Sequence, residues 1–217
     1  MRFKLRTWLL RSLVAATLCG SLGACAPLLV GGAVMGGTLV ITDRRTSGAQ
    51  LEDEGIELRG LSRLQDAIGD RGHVNITSYN RQVLITGEVA SAQDKQTIEQ
   101  VLSRVENVRG IVNELGVMGT SSLTQRSSDV LISARIKASF VDTKDLSANT
   151  FKVVTERGTV YLMGRVTQTE GTRAAEVVRS IPGVQKVVRI FEYLSDEELR
   201  QYLPRPPALA ASAAKSP

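Results

Sequence analysis

The sequence predicts an α+β protein with two tandem αββαβ domains, each a small three-stranded mixed sheet packed with two helices. An internal repeat is the first observation, because segment 74–115 matches segment 151–191 position by position in apolar character. A match of this kind indicates a duplicated domain. The length is the second observation, since 217 residues accommodate two domains of about 70 residues, a size that folds alone.

The order of elements within each copy follows from the apolar periodicity. In the first copy, a helix with one apolar stripe for the sheet to cover (Leu58, Leu61, Leu64, Ile68) precedes strands 74–76 and 83–89, a helix from 91 and a strand at 108–117. In the second copy, the elements are a helix at 129–141, strands 151–155 and 159–166, a helix opened by the capping box 167–170, and a strand at 184–194. Gly87 and Gly164 lie inside strands, which predicts a bulge or a close backbone contact at each.

These elements divide the chain into six segments. We predict a signal peptide at 1–24, a lipidated N-terminus and apolar linker at 25–45, domain one at 46–118, a linker at 119–128, domain two at 129–194 and a disordered tail at 195–217. The tail is rich in Pro, Ala and Ser, a composition that does not build a core.

The first 25 residues have the layout of a secretory signal peptide. A basic region at 1–11 precedes an apolar run, and small residues come before Cys25. The ending Leu-Gly-Ala-Cys resembles the bacterial lipoprotein processing box, so we expect cleavage before Cys25 and lipidation of this residue. One alternative stays open: no charged residue occurs from 12 to 42, a length sufficient to span a bilayer as an uncleaved anchor.

Charge is distributed unevenly between the domains. Residues 46–118 carry 7 basic and 11 acidic side chains, a net charge of −4, whereas 120–194 carry 11 and 7, a net charge of +4. Without the four basic residues of the leader, the chain as a whole is nearly neutral, with 23 basic and 22 acidic residues. Domain two, rather than the whole protein, is therefore the candidate for an anionic partner.

The residue types offer little for catalysis. His73 is the one histidine, and its place at a strand start is typical of a surface or turn residue. The acidic run 52–54 at a helix start is interpreted as solvated. The sequence contains no zinc-ligand spacing, nucleophile elbow or phosphate loop. We therefore predict no enzyme, no catalytic residue, no metal and no cofactor, and also no nucleic-acid partner, which requires a basic face with aromatic residues.

The helix at 129–141 is the one place where the residues themselves indicate a surface function. At about 100° per residue, the helix has two apolar stripes: one is Val130, Leu131, Ala134, Ala138 and Val141, and the other is Ile132, Ile136 and Phe140. One sheet covers one stripe, so the other meets domain one, a partner chain or lipid. Arg135 and Lys137 flank an apolar edge, which suits an anionic membrane surface. The alternative is that both stripes are core.

The repeated pattern resembles the BON domain. The residues that carry it are 160–166, a strand ending in Gly-Arg-Val, and 181–184, the Ile-Pro-Gly-Val before the last strand. Two such domains behind a lipoprotein signal resemble the dual-BON outer-membrane lipoproteins (the DolP-like family), and segment 44–57 resembles that family's start of domain one. The resemblance implies a periplasmic protein on the inner leaflet of the outer membrane that supports envelope integrity.

The resemblance also implies binding of anionic phospholipid, with phosphatidylglycerol expected, through the first helix of domain two. The predicted lipid contacts are Arg135, Lys137, Phe140, Ile132, Ile136 and Val130. The chain departs from the family at Val130, where the family has an aromatic residue, while Phe140 supplies one further along. An adaptor that docks envelope proteins through the oppositely charged domains is the alternative function. The sequence does not determine the oligomeric state.

Overall fold

The computed structural model describes residues 43–202, which belong to one compact unit, Leu39–Pro217. The predicted signal peptide and Cys25 lie outside the described residues. No helix within 43–202 is long and apolar enough to cross a bilayer.

The first domain has the predicted αββαβ order. Its elements are α1 (Ser47–Ile68), β1 (Gly72–Tyr79), β2 (Gln82–Val89), α2 (Ala92–Ser103), β3 (Gly110–Asn113) and β4 (Gly116–Val117). β1 and β2 form an antiparallel hairpin, whereas β3 and β4 both pair parallel to β2. The parallel pairing requires a crossover, which α2 provides. The strand expected at 108–117 is thus two short segments, separated where Leu115 turns into the core.

The second domain repeats this order. Its elements are α3 (Leu123–Asp142), a 3-10 turn (Ala148–Thr150), β5 (Phe151–Glu156), β6 (Thr159–Val166), α4 (Gln168–Arg179) and β7 (Lys186–Tyr193). β6 pairs antiparallel to β5 and parallel to β7. The predicted capping box is present, because Thr167 accepts from the Glu170 amide and Glu170 accepts from the Thr167 amide.

Two predicted boundaries differ from the structure. The linker expected at 119–128 already contains the first turns of α3, because Ser122 caps the helix by accepting from the Gln125 amide. The serines of this stretch led to its prediction as a linker. In the helix, a serine hydroxyl donates to the carbonyl four residues back, as Ser127 does to Leu123. The tail expected to be disordered begins with helix α5 (Asp196–Tyr202), and Arg165 donates to the hydroxyl of Tyr202 at 2.6 Å.

Each domain has its own apolar core between its helices and one face of its sheet. The first is built around Ile56, Leu64, Ile68, Val83, Ile85, Ile98 and Leu102, and the second around Ile132, Ile136, Phe140, Val160, Leu162, Ala174 and Val178. A third cluster, of Tyr79, Leu84, Tyr161 and Met163, combines residues of β1, β2 and β6. The two domains therefore pack sheet against sheet, with their helices on the outside.

The buried stripe of α1 differs from the prediction. Leu64 and Ile68 are buried as expected, but Leu58 and Leu61 are exposed. The buried row instead follows a spacing of four residues through Ile56 and Gly60. Gly60 lets the helix approach the sheet, since a Cβ there would stand 2.9 Å from Cδ1 of Ile76.

Candidate functional site

The outer face of α3 is apolar and exposed. Val130, Leu131 and Val141 expose 68%, 57% and 73% of their surface, and Ala134 and Ala138 between them are exposed as well. We call these five residues the outer stripe. An exposed contiguous apolar strip on a soluble domain marks an interaction surface.

Two basic side chains border the outer stripe. From about 100° per residue, Arg135 lies about 40° beyond Leu131 on one side, and Lys137 lies about 20° beyond Val130 on the other. Both cations are exposed. Long basic side chains at the edge of an apolar helix face place their charges at the level of lipid headgroups.

Three of the predicted lipid contacts lie elsewhere. Ile132, Ile136 and Phe140 are buried in the core of domain two, and the ring of Phe140 packs 4.9 Å from that of Phe151. Their assignment to the lipid surface was wrong, because the sheet covers this stripe and leaves the other one outside. Val130, Arg135 and Lys137 remain available for contact. The alternative, that both stripes are core, is also wrong, because the outer stripe is exposed.

The repeat contains a signal that would have oriented α3 correctly. At an offset of 76, Ile56 falls on Ile132, and Leu64 falls on Phe140. Both members of each pair are buried. The match in apolar character thus extends into the first helix of each domain.

A buried aspartate fixes each first helix to its hairpin turn. Asp129 accepts hydrogen bonds from the amides of Arg157 and Gly158 at 2.8 and 2.9 Å, and Asp53 in domain one accepts from Asn80 and Arg81 at 2.7 Å each. Asp53 was expected to be solvated, but it is buried. These bonds satisfy turn amides that would otherwise lack partners, and they fix which side of α3 faces outward.

The first helix of domain one also has exposed leucines. Leu51, Leu58 and Leu61 are all exposed on α1. This surface belongs to the domain with the net charge of −4 and has the acidic residue Glu54 exposed beside it. The two helices therefore present similar apolar areas in opposite electrostatic surroundings, and α1 is the natural control for α3.

Some of the oppositely charged side chains form ion pairs between the two domains. Lys152 pairs with Glu57 at 2.8 Å, and Arg157 pairs with the fully buried Glu88 at 3.0 Å. Each pair links a base of domain two with an acid of domain one. Arg135 and Lys137 take no part in these pairs, so they are available to an external anion.

Two consecutive arginines at the start of the described chain form ion pairs with both domains. Arg44 is buried and donates to both carboxylate oxygens of Glu170 at 2.8 and 2.6 Å. Arg45 donates to Asp53 of domain one at 2.7 Å and lies over the ring of Tyr79 at 4.2 Å. The segment that leads into domain one therefore also holds domain two. A two-pronged guanidinium–carboxylate contact gives such a link a fixed geometry.

The Arg44 contact makes part of the stability depend on pH. Burial opposes ionisation of Glu170, but the bonds from Arg44 and Thr167 outweigh it and lower the pKa of Glu170. Because the folded-state pKa is lowered, this stabilisation is fully present above the unfolded pKa of about 4.3 and is lost as the pH falls through the folded-state value. We expect Glu170→Gln to lower the free energy of unfolding by about 2 kcal/mol at pH 7, with a difference that disappears on acidification.

Urea denaturation from pH 7 to pH 2.5 checks this expectation. Glu176→Gln on the same helix is the control, because Glu176 is exposed and its ion pair with Arg173 is long, at 3.6 Å. The control is expected to change stability by less than about 0.5 kcal/mol. A difference for Glu170→Gln that is independent of pH would contradict the role given to its charge.

Two αββαβ domains packed through their sheets, each with exposed apolar side chains on its first helix, define a tandem-domain protein. The BON domain family model matches residues 53–119 and 128–194. The chain belongs to the BON domain family.

Named relatives agree with this assignment. The outer membrane lipoprotein DolP of Haemophilus influenzae is 38% identical over 175 residues, covering 79% of this chain and 89% of the relative. A 21 kDa hemolysin of Actinobacillus pleuropneumoniae is 30% identical over 154 residues, covering 70% and 79%. Among solved structures, the C-terminal domain of CdsD, a type III secretion protein of Chlamydia trachomatis, is 10% identical with a TM-score of 0.28 over 62% of this chain and 97% of its own. The family model and the similarity to DolP confirm the predicted family of outer-membrane lipoproteins.

Proposed function

We propose that this protein is a non-enzymatic, periplasmic lipoprotein, anchored by lipid at Cys25 to the inner leaflet of the outer membrane. Its second domain binds anionic phospholipid, with phosphatidylglycerol expected, and it supports outer-membrane integrity. The observation that carries the proposal is the outer stripe of α3, bordered by Arg135 and Lys137. The processing box before Cys25 and the similarity to a named outer membrane lipoprotein support the location.

The physical argument combines two contributions. Burial of apolar side chains in the headgroup region contributes roughly 25 cal/mol per Å², and each cation near an anionic surface adds about 1 kcal/mol. Neither contribution alone holds a domain firmly on a membrane. A lipid at Cys25 keeps the domain near the bilayer, so that a weak surface contact is sufficient.

Vesicle sedimentation tests the proposal with residues 39–217, a segment that contains both domains and their cores. We expect binding to phosphatidylcholine vesicles that contain phosphatidylglycerol, little binding to phosphatidylcholine alone, and weakening as salt rises. Arg135→Ala with Lys137→Ala is expected to weaken binding about 10- to 30-fold. Leu131→Ser with Val141→Ser is expected to weaken it at least about tenfold.

Leu58→Ser is the matched control, since Leu58 is 69% exposed on α1 of the acidic domain. This variant should bind vesicles as the wild type does. Equal binding to neutral vesicles, or equal loss in Leu58→Ser, contradicts the proposal. If no vesicle binds, the adaptor function is favoured, and the exposed leucines of α1 are then its first candidate surface.

A further inference from the structure

The fold brings together three metal-binding side chains that lie far apart in the sequence. His73 is in β1, Glu88 is in β2 and Glu156 ends β5. One ligand atom from each lies within 4.8 Å of the others. The sequence shows no metal-ligand spacing here, because the first two positions are 15 apart and the last two are 68 apart. Two of these ligands belong to domain one and the third belongs to domain two.

The histidine in this cluster lacks a partner on its buried nitrogen. Nδ1 of His73 is buried and makes no hydrogen bond. It stands 3.4 Å from Oε2 of Glu88, too far for a good hydrogen bond. Two atoms bound to one tetrahedral zinc ion at about 2.0–2.1 Å stand roughly 3.3 Å apart. The spacing of the nitrogen and the oxygen is therefore that of two ligands sharing an ion.

The cluster also brings two carboxylates close together. Glu88 is fully buried and Glu156 nearly so. Arg157 pairs with Glu88 through Oε1, whereas Oε2 faces His73 and also accepts from the amide and hydroxyl of Ser121. A divalent cation would offset the remaining charge at the point where the carboxylates meet.

We propose that His73, Glu88 and Glu156 bind a divalent transition-metal ion that links the two domains. The donor set favours zinc, because imidazole with carboxylates suits Zn²⁺, whereas Mg²⁺ and Ca²⁺ take oxygen ligands. The outer contacts of a metal site are present, since Asn75 donates to Glu156 at 3.2 Å and Ser121 donates to Glu88.

The surroundings have room for a fourth ligand and for entry of the ion. A cavity of about 410 Å³ is lined by His73 and Glu156 and extends beside α3 to Val130 and Lys137. It has room for a water molecule to complete a tetrahedral site. Because ligands come from both domains, the bound ion fixes the position of Glu156 relative to β1 and β2. The inference does not depend on whether α3 binds lipid.

Calorimetric titration with Zn²⁺, after treatment with a chelator, tests the proposal on residues 39–217. Both cysteines, Cys19 and Cys25, lie outside this segment and its one histidine is His73, so thiols and other imidazoles do not contribute. We expect one Zn²⁺ per chain, an unfolding midpoint raised by Zn²⁺ and unchanged by Mg²⁺, and absorption fine structure with one imidazole among nitrogen and oxygen ligands. His73→Ala and Glu156→Gln are each expected to weaken binding at least about tenfold.

Glu106→Gln, which removes an exposed carboxylate elsewhere in domain one, is the control and should bind as the wild type does. Circular dichroism confirms that each variant is folded. Glu88 is not substituted, because its removal would leave Arg157 without its ion-pair partner. Absence of stoichiometric Zn²⁺ binding by the wild type overturns the proposal. The proposal is also overturned if folded His73→Ala binds Zn²⁺ as tightly as the wild type does. If His73→Ala does not fold, the same criterion applies to Glu156→Gln.

Discussion

Phe140→Ala is expected to lower the free energy of unfolding by about 3–5 kcal/mol. Phe140 is fully buried in the core of domain two and packs against Phe151. The substitution removes a ring from a close-packed interior and leaves a cavity that the β-sheet cannot fill. Chemical denaturation followed by circular dichroism measures the loss.

Val141→Ala is the matched control, because the next residue along the same helix is 73% exposed. Its effect on stability is expected to stay within about 0.5 kcal/mol. The two variants also compare the buried stripe of α3 with its exposed outer stripe. If Phe140→Ala left stability unchanged, Phe140 would not be core, and its assignment in the structure would be wrong.

Gly87→Ala is expected to destabilise the protein by about 3 kcal/mol. Gly87 has φ 111°, a backbone conformation that residues other than glycine rarely adopt. A Cβ on Gly87 would also collide with the carbonyl oxygen of His73 on the paired strand β1. Strain in the backbone and the steric clash act in the same direction, so relaxation of one does not relieve the other.

Gly119→Ala is the control for this prediction, since a Cβ at Gly119 has no atom within 4 Å. We expect its thermal midpoint to equal that of the wild type or to rise slightly, because alanine restricts the unfolded chain. A similar loss in both variants would show that the effect of Gly87→Ala is not due to its place in the sheet.

The two strand glycines show how far a repeated motif can be interpreted. The sequence predicted a bulge or a close contact at both Gly87 and Gly164. Both are close to a neighbouring carbonyl, since a Cβ at Gly164 would stand 2.7 Å from the oxygen of Thr150. Gly87 has a positive φ, whereas Gly164 is not among the residues with positive φ. The same motif therefore serves two different backbone conformations.

The sequence by itself determined the order of elements, the duplication and the family. The order of elements follows from local periodicity, capping residues and turn residues, which depend on interactions within a few positions. The family follows from the resemblance of the repeated motif. The sequence also singled out the first helix of domain two and its two cations, Arg135 and Lys137. The helix has two apolar stripes of similar strength, so its own periodicity does not decide which one the sheet covers. Only the alignment of the two copies at an offset of 76 indicates the buried stripe.

The tertiary structure decided which side of that helix is exposed and which distant residues meet. Asp129 binds the β5–β6 turn and sets the rotation of α3, which buries Phe140 and exposes Val141. The packing of the two sheets brings Glu156 of one domain to His73 and Glu88 of the other. Such contacts arise from the pairing of strands and the docking of domains. Their free energy depends on long-range packing that no local pattern in the chain records.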